Sequence, residues 1–160
     1  MLTICPLSQA PDARTTCINW TDAEWGAVAR FAPEDWEAEI SRIEGHPVDE
    51  VFVAFKNEAP VGMAWILEHE GVESHAHLSP WLSSLVVDPD HRNQGIAAAL
   101  IRHVEDYAAL GGDDHLFLLT HTPAVYFTKG WEVHDTAPLG RGHVFVMQKA
   151  LPENDQQPDD

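Results

Sequence analysis

The feature that most constrains this fold is a pair of short apolar segments separated by a long amphipathic one. Trp81–Val87 is apolar except at Ser83 and Ser84, which is typical of a strand that is covered on both faces. Apolar side chains recur at helical spacing over residues 94–110, and residues 116–119 form the second apolar run. A strand, a helix and a second strand of these lengths predict a right-handed parallel crossover.

The rest of the chain predicts helices and strands in a mixed order. Thr21 followed by Glu24 resembles a capping box and predicts the start of a helix. The predicted elements outside the crossover are helices over 22–31 and 33–44, a hairpin of 51–55 with 61–68, a short helix over 123–129, and a final antiparallel pair, 131–134 with 143–149. This order predicts an α/β fold of the α+β type, a single domain whose mixed sheet has antiparallel strands flanking the central parallel crossover. We expect the last strand at an exposed edge.

Length and composition limit the class of protein. The 160 residues fit one domain, which we expect over residues 1–151, followed by an acidic, disordered tail over 152–160. Cys5 and Cys17 do not make a disulfide framework, which favours a reducing compartment. No run approaches the roughly 20 apolar residues of a membrane helix, and residues 1–10 lack the pattern of a secretory signal. A cytoplasmic location is therefore expected.

The acidic composition argues against some partners. A formal net charge of −17 repels the phosphate backbone of nucleic acids and the surface of anionic membranes. The same charge is compatible with a cationic small molecule or a basic peptide, although its simpler effect is to keep the protein in solution. We expect no nucleic-acid or membrane partner and hypothesise a cationic one.

The segment between the first crossover strand and its helix carries the chemistry. The strand ends at Val87, residues 88–90 turn the chain, and a loop of small residues opens the helix. The first amides of a helix lack partners inside it and lie at the positive end of its dipole. Gly95 has no side chain to hold a ligand away, and Arg92 adds a cation. The segment predicts a site for a phosphate-bearing ligand, the alternative being a helix start that merely packs on the sheet.

This segment resembles the coenzyme-A loop of the GNAT acetyltransferase superfamily. Residues 87–97 read Val-x-Pro-x-x-Arg-x-x-Gly-x-Ala, directly after an apolar strand. The second landmark of that family, a tyrosine followed by glycine and an aromatic residue, is supplied by residues 126–131. A finer pattern, Pro-Trp-Leu at 80–82 and Gly-Trp at 130–131, is similar to a bacterial branch of the family. Two departures are Val125, where the family usually has an aromatic residue, and a shortened loop between Thr120 and Tyr126.

The resemblance implies an enzyme that moves an acetyl group from acetyl-CoA to a primary amine, directly and within a ternary complex. Backbone amides near the end of the strand would hold the thioester and the pantetheine arm, and the loop would hold the pyrophosphate. The implied cofactor-binding residues are Leu85, Val86, Val87, Arg92, Asn93, Gln94, Gly95, Ile96, Ala97 and Ala98. Tyr126 would protonate the departing thiolate. The family often dimerises, through sheet edges or its first helices, so a homodimer is also open.

The general base is less defined. Glu68 is the first choice because it ends the predicted hairpin, and Glu70, His75 and His77 lie just beyond it. His75 and His77 would share one face of a strand, but zinc needs at least a third ligand, so we expect no metal.

Two other readings stay open at this point. One is an acyl-CoA-binding or sensing module of the same fold without turnover, and the other is an interaction domain without a nucleotide ligand. The length of the acyl group and the identity of the amine also stay open.

Overall fold

The structure is a computed structural model and describes residues 1–153, so most of the predicted acidic tail, from position 154 onward, lies outside the described residues. The helices and strands, in chain order, are β1 (Leu2–Pro6), α1 (Arg14–Ala29), α2 (Pro33–Glu44), β2 (Glu50–Lys56), β3 (Ala59–Leu67), β4 (Trp81–Val87), α3 (Ile96–Leu110), β5 (His115–Thr120), α4 (Ala124–Phe127), β6 (Glu132–Leu139) and β7 (Gly142–Ala150). Within these residues, no helix combines the length and apolar character that crossing a membrane requires.

The strands form one mixed sheet in the order β1-β2-β3-β4-β5-β7-β6. β4 and β5 run parallel, with Trp81 opposite Phe117, whereas the pairs β1–β2, β2–β3, β5–β7 and β6–β7 are antiparallel. The predicted fold class and its parallel crossover are therefore confirmed. The predicted edge strand was wrong, because β7 pairs with β5 on one side and with β6 on the other. β6 is the edge strand at this end.

The chain divides into two compact units, the first of which comprises Met1–Ile66 and Ser84–Ile101. Its helix α2 begins at Pro33 as predicted, and Trp36, Ile40 and Ile43 are buried along one face.

Helix α1 begins earlier than predicted, at Arg14. Thr21 lies inside this helix, and its hydroxyl donates to the Cys17 carbonyl at 2.7 Å instead of capping a helix start. Pro11 opens a short 3-10 turn that leads into α1. The predicted capping box was therefore wrong, because a threonine hydroxyl inside a helix can bond to the carbonyl one turn back.

Within the first unit, β3 lies unusually close to the start of α3. A Cβ atom on Gly62 would lie 2.9 Å from the Val86 carbonyl oxygen, 3.0 Å from Leu100 Cδ1 and 3.2 Å from Ile96 Cγ2. Glycine in a strand often marks such a close approach of another segment. This approach places the first turn of α3 against the middle of the β2–β3 hairpin.

The second unit comprises Leu67–Ser83 and the chain from Arg102 onward. Its core is a cluster of buried apolar side chains from the turn after β3 and from β4, β5, β6 and β7. The cluster contains Val72, Trp81, Phe117, Ala137, Val144 and Val146. Trp81 and Phe117 pack at a tilt, with ring centroids 5.6 Å apart.

Candidate active site

β4 has an irregular backbone conformation at Ser84. Its φ angle of 51° falls in the left-handed region, which residues other than glycine seldom adopt. Leu85, Val86 and Val87 follow, and Val86 is buried whereas its two neighbours are half-buried. An irregularity within a strand changes the direction in which the following backbone groups point. The residues predicted to hold the pantetheine arm thus form the irregular end of β4, in the first unit. No pattern among the residues of β4 predicts this positive φ angle at Ser84.

The loop of residues 92–98 has an open backbone. Asn93 and Gly95 have positive φ angles of 63° and 80°, and the space beside Gly95 holds no neighbouring atom of the described chain within 4 Å of where a Cβ atom would be. The first backbone hydrogen bond of the helix runs from the Ala99 amide to the Gly95 carbonyl at 3.1 Å. The helix therefore supplies no acceptor for the amides of residues 96–98, which can bind an anion instead.

Two contacts inside the first unit fix this loop. The Lys56 ammonium donates to the Gln94 side-chain oxygen at 3.0 Å, and the Asp88 amide donates to the Val61 carbonyl at 2.8 Å. Both contacts join the β2–β3 hairpin to the segment between β4 and α3. Sequence reasoning missed Lys56, because a lysine at the end of a strand usually faces solvent.

Tyr126 lies in the four-residue helix α4, in the second unit. Its ring packs edge-on against the ring of Trp131, with centroids 6.3 Å apart. Burial raises the pKa of the Tyr126 phenol above its ordinary value of about 10. The side chain is therefore a neutral hydroxyl at physiological pH, which is the form that can give up a proton.

Glu68 and Glu70 occupy different environments in the second unit. Glu68 is the first residue after β3, its side chain is 40% exposed, and His69 Nε2 lies 3.7 Å from its carboxylate. Glu70 accepts a hydrogen bond from the Ser83 hydroxyl at 3.0 Å and lines a cavity of about 260 Å³. Glu68 is not among the residues that line this cavity. Of the two carboxylates considered from the sequence, Glu70 is therefore the more enclosed.

The cavity combines apolar and acidic walls. Glu70 and Glu73 supply carboxylates, Val72 and Ala76 supply apolar atoms, and none of the residues that line the cavity is Lys or Arg. Its field is therefore negative, which suits a cationic group.

His75 and His77 do not lie on a strand, so that expectation was wrong. His75 ends a 3-10 turn and is buried, with Nε2 at 2.8 Å from an Asp135 carboxylate oxygen and Nδ1 at 2.7 Å from the Ser74 hydroxyl. Both ring nitrogens of His75 are thus engaged within the protein. No group of three or more potential metal ligands occurs in the part of the chain that is described. The hydrogen bond from His75 also lowers the pKa of the Asp135 carboxyl.

The predicted site residues fall into two groups. All ten predicted cofactor-binding residues belong to the first unit, whereas Tyr126 and Glu68 belong to the second. Their roles stay predictions. Within the first unit the structure brings the loop of residues 92–98 together with Lys56, and within the second it brings Glu70 together with Ser83.

Comparison with known families shows to which family this fold belongs. A model of the acetyltransferase (GNAT) family matches residues 14–129, which is more than half of the chain. The chain belongs to this family. Acetyl-CoA is the acyl donor of GNAT acetyltransferases, and the open backbone of residues 92–98 fits the pyrophosphate of that cofactor.

Solved GNAT structures share the fold at low sequence identity. An aminoglycoside 6'-N-acetyltransferase complexed with coenzyme A has a TM-score of 0.74 at 18% identity, covering 96% of this chain and 99% of its own. The aminoglycoside 6'-N-acetyltransferase from Enterococcus faecium has a TM-score of 0.71 at 18% identity, with coverages of 96% and 99%. A spermidine N-acetyltransferase chimera from Vibrio cholerae and hSSAT reaches 0.71 at 15% identity, with coverages of 93% and 95%. No curated protein sequence matches the chain.

Proposed function

We propose that this GNAT protein transfers the acetyl group of acetyl-CoA directly to a primary amine of a cationic acceptor. The observation that carries the proposal is the open, positive-φ backbone at Gly95, directly before α3, in a chain of this family. A side chain there would fill the space that a pyrophosphate needs. The fold of the aminoglycoside and spermidine acetyltransferases described above supports amine acetylation as the reaction type.

On the donor side, the first unit supplies backbone groups and one cation. The amides at the start of α3 and the exposed Arg92 hold the pyrophosphate. The backbone of Leu85, Val86 and Val87 holds the pantetheine arm, and an amide there that faces the thioester carbonyl stabilises negative charge on its oxygen. Acetyl-CoA, when bound, supplies the activated acetyl group and a thiolate leaving group.

On the acid side, Tyr126 gives its proton to the departing thiolate. Burial keeps the phenol protonated at all pH values at which the enzyme is expected to work.

On the base side, Glu68 stays the predicted acceptor of the amine proton, and Glu70 is the alternative because it lines the cavity. Replacing Glu68 and Glu70 by Gln in separate variants shows which of them is the base, because the variant that lacks the base loses the acidic limb of its pH–rate profile.

The cavity of the second unit favours a cationic acceptor. Glu70 and Glu73, which both line this cavity, attract a protonated amine. The formal net charge of −17 acts in the same direction.

A homodimer stays a prediction, and β6 is the sheet edge at which to test it because β7 is enclosed between two strands.

The test is thermal stability with and without millimolar acetyl-CoA, followed by release of CoA thiol with a panel of amines. The panel contains spermidine, an aminoglycoside and a lysine-rich peptide, with a neutral monoamine as control. We expect stabilisation by acetyl-CoA and thiol release with at least one cationic amine. Stabilisation without transfer to any amine would favour an acyl-CoA-sensing module, which the exposed Val125 before the tyrosine allows. No stabilisation by acetyl-CoA or free CoA would refute the proposal.

A further inference from the structure

An ion pair between a buried carboxylate and a partly exposed lysine reaches the turn that follows Tyr126. Glu105 on α3 is 6% exposed, and its carboxylate lies 2.6 Å from the Lys149 ammonium on β7. The same ammonium donates to the Lys129 carbonyl at 2.9 Å. Lys129 is three residues beyond Tyr126, at the end of the turn that follows α4. One side chain from β7 thus ties α3 to this turn, and all of these residues belong to the second unit.

This turn is held by backbone hydrogen bonds of its own and by the Lys149 ammonium. α4 is only four residues long, and the Tyr126 carbonyl accepts hydrogen bonds from the Lys129 amide at 3.0 Å and the Trp131 amide at 3.3 Å. The carbonyls at a helix end lack partners inside the helix, and Lys149 satisfies the one on Lys129. Gly130 has a φ of 85°, and a Cβ atom there would meet Lys149 Cε at 3.4 Å. The glycine therefore allows both the turn and the close approach of the ammonium.

Stability alone gives no reason for an ion pair at this place. Removing two charges from water costs free energy that their attraction often only balances, and apolar side chains of similar volume serve the core as well or better. An apolar pair cannot, however, donate a hydrogen bond to the Lys129 carbonyl. The function that the charged pair alone can perform is to fix the main chain beside Tyr126.

We propose that Glu105 and Lys149 are positioning residues that orient the Tyr126 hydroxyl for acid catalysis. This inference rests on the proposed function, in which Tyr126 protonates the leaving thiolate. Lys149 acts through the main chain of the turn, and Glu105 acts by holding the ammonium in place. A displacement of about 1 Å at a reacting group costs roughly a hundredfold in rate, so the loss of this anchor is expected to act on kcat.

Two variants distinguish an effect on the stability of the protein from an effect on the position of Tyr126. Lys149→Met leaves Glu105 buried without a partner and is expected to lower both Tm and kcat. The double variant Glu105→Leu with Lys149→Met removes both charges while filling the space, so Tm is expected to recover while kcat stays about 10- to 100-fold low. KM for acetyl-CoA is expected to stay at the wild-type value. The control is Arg102→Met with Asp106→Asn, which removes an exposed ion pair from the same helix.

Ionisation of Tyr126 gives a readout that does not depend on turnover. The chain has two tyrosines, so a Tyr107→Phe background leaves Tyr126 as the sole phenol seen by ultraviolet absorbance during an alkaline titration. Release of the turn in the double variant is expected to expose the phenol and lower its pKa toward the ordinary value. A wild-type kcat in the double variant, or an unchanged titration, would overturn the inference. If the wild type transfers acetyl to no amine, the proposed function fails, and the titration still decides whether Glu105 and Lys149 hold Tyr126.

Discussion

The His75 imidazole and the Asp135 carboxylate lie 2.8 Å apart and join the turn after β3 to β6, across 60 residues of sequence. A carboxylate only accepts hydrogen bonds, so His75 Nε2 carries a proton and donates it to Asp135, while Nδ1 lies 2.7 Å from the Ser74 hydroxyl. His75 lines the cavity that also contains Glu70 and Glu73. The contact therefore fixes one wall of the proposed acceptor cavity.

Asp135→Ala is expected to loosen this wall. The substitution leaves a buried imidazole N–H without its acceptor, which is costly in a protein interior. Amide hydrogen exchange over residues 70–78 should become faster, while exchange in β5 should stay at its wild-type rate. Glu132→Ala, at the start of the same strand, is the control and should leave residues 70–78 unchanged. Equal exchange in both variants would show that His75 holds the turn without Asp135.

The same pair predicts a pH dependence. The hydrogen bond from His75 puts the pKa of Asp135 below its ordinary value of 3.8. A carboxyl group with a depressed pKa in the folded state stabilises the protein above its unfolded-state pKa, and this contribution disappears as the pH falls through the folded-state value. The Tm difference between the wild type and Asp135→Ala should therefore shrink as the pH falls below about 4. A difference that stays constant into strong acid would contradict this.

Gly62→Ala should destabilise the first unit and weaken acetyl-CoA binding. The new methyl group would lie 2.9 Å from the Val86 carbonyl oxygen, so β3 and the end of β4 must move apart. Overpacking of this kind costs about 1–3 kcal/mol of unfolding free energy. Gly111→Ala is the matched control, because its Cβ atom makes only ordinary contacts, the nearest at 3.5 Å. Denaturant unfolding measures the cost, and the Tm shift with acetyl-CoA measures binding.

Gly95→Val should abolish the stabilisation by acetyl-CoA. Gly95 and Gly112 both have positive φ and open space beside them, at φ values of 80° and 90°. Gly112→Val therefore carries the same backbone strain at the other end of α3. At a ligand concentration of a hundred times Kd, binding is worth about 2.7 kcal/mol. Both variants should lose similar stability, but only Gly112→Val should keep the shift with acetyl-CoA. Retention of that shift in Gly95→Val would place the pyrophosphate elsewhere.

Tyr126→Phe should lower kcat without changing acetyl-CoA binding. The substitution removes the proton donor but keeps the ring against Trp131. General acid catalysis contributes typically 10²–10⁴-fold, so kcat should fall by at least about a hundredfold. Because burial raises the pKa of Tyr126, wild-type kcat should not decline through loss of this proton until above about pH 10. Tyr107→Phe is the control, and an equal effect of both variants would refute the role.

Patterns of burial were the part of the fold that the sequence predicted well. In β4, Trp81, Leu82 and Val86 are buried whereas the other four residues are half-buried, so the predicted burial holds for part of the strand. α2 shows its buried stripe directly in the spacing of Trp36, Ile40 and Ile43. Pairing order was not predictable in the same way. β7 has the same pattern whether it lies at an edge or between two strands, because that difference depends on which distant strand accepts its backbone hydrogen bonds.

Polar contacts between residues that are far apart in the chain also could not be predicted from the sequence. No sequence pattern predicts the ion pair of Glu105 and Lys149, because the two residues lie far apart in the chain. His75 and His77 suggested a shared strand face, but a 3-10 turn places His75 against Asp135 instead. The loop of residues 92–98 was recognisable because its function needs particular residue types in sequence, whereas these contacts need only complementary atoms in space.

The position of β7 between β5 and β6 has a consequence for how the protein is made. A ribosome delivers β6 before β7, so β6 emerges with no neighbour of its own while β5 still has an unpaired side. Val144, Val146 and Met147, which β7 contributes to the interior, arrive last. In a nascent chain stopped before Gly142, β5 and β6 would each have an edge without the hydrogen bonds that β7 provides. The second unit can complete its part of the sheet only after β7 has left the exit tunnel.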